Sequence, residues 1–175
     1  MSRLRRRAVL GLTLLLVLLP DCARDLVAVD GGWRSQREGY RIGEPGPGWT
    51  RIELEGAALA FRRGGAETMS LQSRCGRPVA SPEIMARHLM IGIPERTLRE
   101  VHPATVSGHA AWSQTFDARL EGRTARVESV TVVTSGCAYD FLMVTAEDSE
   151  SAERDFQTWV AGFTLPEVDT AGAAR

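Results

Sequence analysis

From Leu98 to Thr145 the sequence passes through four strand-prone stretches, Leu98–Val101, Ala110–Phe116, Thr124–Thr134 and Cys137–Thr145, broken at Gly108, Glu121-Gly122 and Ser135-Gly136. Two-residue connections that end in glycine join neighbouring strands antiparallel, because a parallel return needs a crossover on the order of a dozen residues. An antiparallel sheet is therefore the constraint that the rest of the chain has to satisfy. Around Val127–Val133 the apolar alternation is imperfect, as expected of a central strand covered on both faces.

The flanking segments add to that sheet. Ile52 and Leu54 alternate with Glu53 and Glu55, and Leu59, Phe61 and Arg63 alternate with Ala58, Ala60 and Arg62. These predict two strands joined at Glu55-Gly56, with a third over Thr68–Gln72 leading to Cys75. Ser81-Pro82-Glu83 is a helix start, since the hydroxyl caps orphan amides, proline suits the first turn and the acid faces the positive dipole end. Ile84, Met85, His88 and Leu89 then recur at helical spacing until Gly92 and Pro94. A second helix over Ser149–Phe163 carries Ala152, Phe156, Trp159, Val160 and Phe163 on one stripe. With 175 residues the chain has material for one core. The expected order is β-β-β-α-β-β-β-β-α: an α+β domain with a single antiparallel sheet and two packed helices, over residues 38–165. Residues 166–175 are expected to fray.

The N-terminus is an address. Arg3, Arg5, Arg6 and Arg7 precede the apolar run Ala8–Leu19, followed by Pro20, Asp21 and Cys22. This is the plan of a secretory signal peptide over residues 1–21. The apolar run falls short of the roughly 18–20 residues that cross a bilayer as a helix. A cysteine at this point resembles the bacterial lipoprotein signal, in which that residue is acylated and becomes the first mature residue. The resemblance implies lipid attachment at Cys22 and a tether over residues 22–37. Cleavage nearby without lipid is the other reading, although neither Asp21-Cys22-Ala23 nor Leu26-Val27-Ala28 makes a good small-x-small site. Ala23 and Arg24, rather than an acid, follow Cys22, and this implies the periplasmic face of an outer membrane.

Export to an oxidising compartment makes the remaining cysteines, Cys75 and Cys137, an expected disulfide, since each adjoins a turn residue and a strand. A buried free pair and a metal site are the alternatives. The second lacks the short ligand spacing of zinc sites.

All 21 basic residues are arginine, and the chain contains neither lysine nor asparagine. Schiff-base catalysis and N-glycosylation are thereby excluded. Loss of residues 1–21 leaves 17 arginines against 21 acids, a net charge of −4 without a basic stripe, so nucleic acid is not an expected partner. No nucleophile elbow, His-Glu-x-x-His, Cys-x-x-Cys or phosphate loop is present, and Pro45 and Pro47 deprive the Gly43–Gly48 stretch of amide donors. His88 is expected as a core or rim residue of its helix, and His102 and His109 as turn residues. Trp49, Trp112 and Trp159 are expected in the core, while Trp33 is a candidate exposed anchor or a strap across a sheet edge.

Tyr40-Arg41-Ile42, Pro47-Gly48-Trp49, the central helix, Gly108–Phe116 and the closing helix to Phe163 resemble the PsbP-like fold. That fold is shared by a photosystem II accessory protein, a small Ran-binding nuclear import protein and many bacterial lipoproteins. Ser73-Arg74-Cys75, His88–Gly92 and Gly136-Cys137-Ala138-Tyr139-Asp140 resemble a branch of bacterial envelope lipoproteins. The resemblance implies an adaptor or accessory binding protein of the envelope, and the missing motifs lead to the expectation of no cofactor, no catalytic residue and no metal ligand. Its expected contacts are a membrane, through the N-terminal lipid, and an envelope protein. A small hydrolase with a site assembled across strands is the competing reading.

Overall fold

The computed structural model describes residues 25–166 except Arg77, Pro94, Glu121, Glu147 and Asp148. The expected signal peptide, Cys22 and residues 167–175 lie outside the described residues.

Seven strands form the main sheet: β4 (Thr50–Ile52), β5 (Leu59–Arg63), β6 (Glu67–Cys75), β7 (Arg96–Val106), β8 (His109–Leu120), β9 (Arg123–Val133) and β10 (Cys137–Thr145). Their order is β4-β5-β6-β10-β9-β8-β7, with antiparallel pairing throughout. The glycine turns act as expected. Ser107 and Gly108 both take positive φ, 49° and 75°, as a primed hairpin turn requires. Ser107 is held in that costly conformation by donating its hydroxyl to the Phe163 carbonyl.

The architecture is α+β, but the single sheet expected from the sequence is two. The tether expected over 22–37 is, in its described part, a hairpin of β1 (Leu26–Val29) and β2 (Gly32–Ser35). With β3 (Arg41–Gly43) it makes a second, three-stranded antiparallel sheet. Arg41 exchanges both backbone hydrogen bonds with Thr164, at 2.9 Å each, which ties this small sheet to the chain's other end.

Each face of the main sheet carries one helix. On one face Leu59, Phe61, Met69, Leu71, Tyr139, Phe141 and Met143 meet Ala152, Phe156, Trp159 and Val160 of α2 (Glu150–Ala161), together with Phe163, Tyr40 and Ile42. Rings run across this core in contact, with centroids 5.1 Å apart for Phe141 and Phe163 and 5.7 Å for Phe141 and Trp159. Trp159 Nε1 donates to Gly43 O at 2.9 Å, and Trp49 Nε1 and the Arg63 guanidinium both reach Asp155. On the other face Phe116, Ala118, Val127, Leu142 and Val144 meet Met90, Leu89 and Ile93 around α1 (Pro82–Leu89). This helix crosses from β6 to the far edge strand β7. Its buried contacts are Ala86 and Met90, so the stripe expected through Ile84 and His88 is turned outward and both are exposed. A helix lying over polar Gln114, whose amide donates to Ala86 O at 3.2 Å, presents its smallest residue to the sheet.

β7 is a long free edge, with Leu98 and Val101 59% and 41% exposed. Pro103 and a register shift between Leu98 and Glu100 interrupt it. His102 lies within this strand and His109 opens β8, so both are strand rather than turn residues.

Cys75 and Cys137 stand directly opposite each other on β6 and β10 and form the expected disulfide. It closes a loop with a sequence separation of 62, worth about 4 kcal/mol on the chain-entropy model. Replacing both cysteines by alanine is expected to cost stability on that scale in urea unfolding of the oxidised protein.

Trp159 is 2% exposed at the centre of the aromatic core. Trp159→Ala is expected to lose roughly 3–5 kcal/mol in the same measurement.

Glu128 on β9 is buried beneath α2, where it accepts a hydrogen bond from Gln157. Burial, and then the charges of Glu153 and Glu100, push its carboxyl up to about 7 from 4.5. Stability from this group is complete below the unfolded value and is lost as pH rises through the folded one. Glu128→Gln is therefore expected to flatten the decline in stability between roughly pH 5 and pH 8, measured by urea unfolding across that range.

Candidate functional site

β1 is the outer strand of the small sheet and β4 the outer strand of the large one, so each leaves one side of its backbone without a strand partner. Both edges line one open cleft of about 640 Å³. Asp25 and Leu26 contribute from the β1 side, and Arg51, Ile52, Glu53 and Leu54 from the β4 side. Arg37, the turn 55–58, Leu59 and Ala60 of β5 and Ser73 of β6 complete the lining.

The β1 wall is fixed by local chemistry. The Asp25 carboxylate accepts from Ser35 Oγ at 2.6 Å and from Arg37 N at 2.7 Å, while its carbonyl accepts from Gln36 N at 2.8 Å. Glycine is required where β2 meets β3. A Cβ on Gly32 would stand 2.3 Å from Ile42 O and 2.7 Å from Gly43 Cα, both backbone atoms that cannot swing aside. On the inner side of this sheet Trp33 packs against the core, and the Arg51 guanidinium lies 4.1 Å above its ring. Trp33 is thus the strap rather than the exposed anchor, half-buried with Nε1 enclosed and unpartnered.

Behind Ser73 sit two phenols. Tyr40 is fully buried, and its ionisation is pushed far up, first by burial and then by the charges of Glu38 and Asp25. The nearby Ser73 hydroxyl offsets a little of that rise, although no hydrogen bond of good geometry forms at Tyr40 OH. Tyr139 is pushed up to about 12 by burial and by Glu38. Both phenols are neutral at physiological pH and neither lines the cleft.

The cleft combines free strand edges, the apolar side chains Leu26, Ile52 and Leu54, and charges of both signs. Such a surface suits an extended chain, whose backbone can add to an edge while its alternate side chains meet apolar and charged neighbours. His88, His102 and His109 line no part of it. Among the described residues no cluster of three or more His, Cys, Asp or Glu side chains could hold a metal ion. Of the tryptophans expected in the core, Trp159 is fully buried and Trp49 and Trp112 are half-buried. Sequence reasoning missed the cleft. Its legible traces are Leu54 immediately before the Glu55-Gly56 turn, 47% exposed, and the Gly31-Gly32 pair beside Trp33.

Gly32→Ala is expected to force β2 from β3 at a cost of roughly 1–3 kcal/mol. Limited proteolysis should then cut between residues 25 and 43, where the native protein resists.

Comparison with known proteins follows this architecture. The chain superposes on cyanobacterial PsbP from Synechocystis sp. PCC 6803 with a TM-score of 0.60 and 15% identity, covering 80% of this chain and 95% of that one. It superposes on LpqN of Mycobacterium tuberculosis with a TM-score of 0.56 and 15% identity, covering 73% and 84% respectively. No family model matches the sequence, and no curated protein matches it. The fold is therefore PsbP-like, as the motifs around Tyr40, Trp49 and Gly108 implied.

Proposed function

We propose that this chain is a lipid-anchored, non-enzymatic protein of the cell envelope that acts as an adaptor or accessory binding subunit. On this reading Cys22 carries the lipid and the cleft receives an extended segment of an envelope protein. The observation that carries it is the meeting of two free strand edges, β1 and β4, in one cleft. LpqN, which has the same fold, is described as involved in cell envelope biogenesis, and this supports an envelope role. No helix among the described residues is long and apolar enough to cross a membrane, so on this reading the attachment falls to the acylated cysteine.

Two measurements test the proposal. Cys22→Ser is expected to abolish incorporation of labelled fatty acid and to move the protein from the membrane to the soluble fraction. A photoreactive residue at Leu54 is expected to give a discrete crosslinked species in intact cells, whereas the same residue at exposed Arg123 gives none. Absence of a Leu54 adduct, together with hydrolysis of an ester, peptide or glycan that histidine-to-alanine variants lose, would replace the adaptor by the hydrolase.

A further inference from the structure

The outward face of the three-stranded sheet presents an arrangement that folding does not explain. Arg34 on β2 and Arg41 on β3 are directly opposed in register, both exposed, with Val27 of β1 completing the row. Like charges facing each other across strands are unfavourable. Among the described residues neither has a carboxylate within ion-pair distance, and the neighbouring Trp33 and Ile42 point the other way, into the core. Arg37, its side chain 77% exposed, lies at the Asp25 end and pairs with Glu38 at 3.3 Å, while the acids Asp30 and Glu44 lie at the opposite, Gly32–Gly43 end. Glu38 is taken up by Arg37 and Asp25 is engaged by Ser35 Oγ and the Arg37 amide, so neither acid pairs with Arg34 or Arg41.

Covalent geometry locates this end of the sheet. Asp25 is fixed by three hydrogen bonds, and three residues of fully extended chain reach only about 10–11 Å. A lipid on Cys22 therefore holds Asp25 at the bilayer surface with almost no slack. We propose that the Arg34 and Arg41 face, with exposed Arg37 beside it at the Asp25 end, lies on anionic phospholipid headgroups of the membrane that carries the anchor, and so sets the domain's orientation. This rests on acylation of Cys22 as proposed above. Arg34 and Arg41 lie toward the anchored end of the sheet, and the anionic surface supplies the countercharge that the fold withholds from these two side chains. The mature chain carries −4 with these three arginines included, so its remaining surface is more acidic still, is repelled, and the orientation is reinforced.

The test uses the full-length acylated protein in vesicles of pure phosphatidylcholine and in vesicles containing phosphatidylglycerol. Phenylglyoxal modification of each arginine is followed by mass spectrometry. Arg34 and Arg41 are expected to react about fivefold more slowly on the anionic vesicles at low salt, with the difference shrinking in high salt, while exposed Arg123 is unchanged. Arg34→Gln combined with Arg41→Gln is expected to abolish the composition dependence at Arg37 without altering acylation. Equal rates at Arg34 and Arg41 on the two vesicles would overturn the inference, as would equal slowing at Arg123. Intact mass on the same sample reads the anchor separately: acyl groups present with equal arginine rates sink the orientation alone, whereas their absence sinks both.

Discussion

Everything on the cysteine-bearing face of the main sheet depends on the contact between Phe163, Phe141 and Trp159. These rings pack edge to face or tilted across the middle of the sheet, the arrangement that their quadrupoles favour. From Phe163 the contacts continue to Tyr40 and Tyr139, at 5.4 Å and 5.1 Å, and from Trp159 to Phe61 at 5.7 Å. One run of aromatic side chains thus joins the closing helix, the central strand β10, the penultimate strand β5 and the small sheet. The Trp159 indole also donates to Gly43 O, so the same side chain fixes the end of β3. The cleft walls stand where they do because both are fastened to this core.

The two faces of the sheet are held by different chemistry. Beneath α2 the contact is aromatic and nearly dry, with Glu128 and its Gln157 partner as the ionisable intrusion. Beneath α1 and its approach the layer is mixed: Asp140 accepts from Thr131 at 2.7 Å and pairs with Arg74, while Ser129 Oγ is buried without a partner. Such a layer stabilises less than apolar packing, because buried polar groups gain little beyond what water offered them. α2 is accordingly the helix that the fold relies on, and α1 serves mainly as the crossover that carries the chain to β7.

How much of this was legible follows from the length and composition of each element. The β7–β10 region declared itself because its strands are long and its turns short, and α2 because five apolar residues recur over three turns. The Cys75–Cys137 bridge was legible from cysteine count and compartment. The small sheet was not, since Leu26–Val29 and Gly32–Ser35 are four residues each, too short for alternation to stand out from chance. Its pattern is further blurred by an inward-facing serine, Ser35, that serves the Asp25 carboxylate instead of the core. The cleft was hidden for a related reason: it arises between edges of two sheets, and no local pattern encodes where two sheets end. His88 was misplaced because a helix stripe read from sequence has no knowledge of the surface beneath it, here the side chain of Gln114.

The interrupted edge of β7 bears on life at a crowded surface. Proteins tethered to one membrane meet at high local concentration and in similar orientation, conditions under which an unbroken strand edge templates chain-to-chain ladders. Pro103 lacks the amide hydrogen that such a ladder needs, and the irregularity between Leu98 and Glu100 throws the two halves of the strand out of common register. The longest free edge among the described residues is thus a poor template for a second copy, while the much shorter edges β1 and β4 stay open along the cleft. On the anchoring proposed above, copies crowded side by side on a bilayer would meet no unbroken edge along β7.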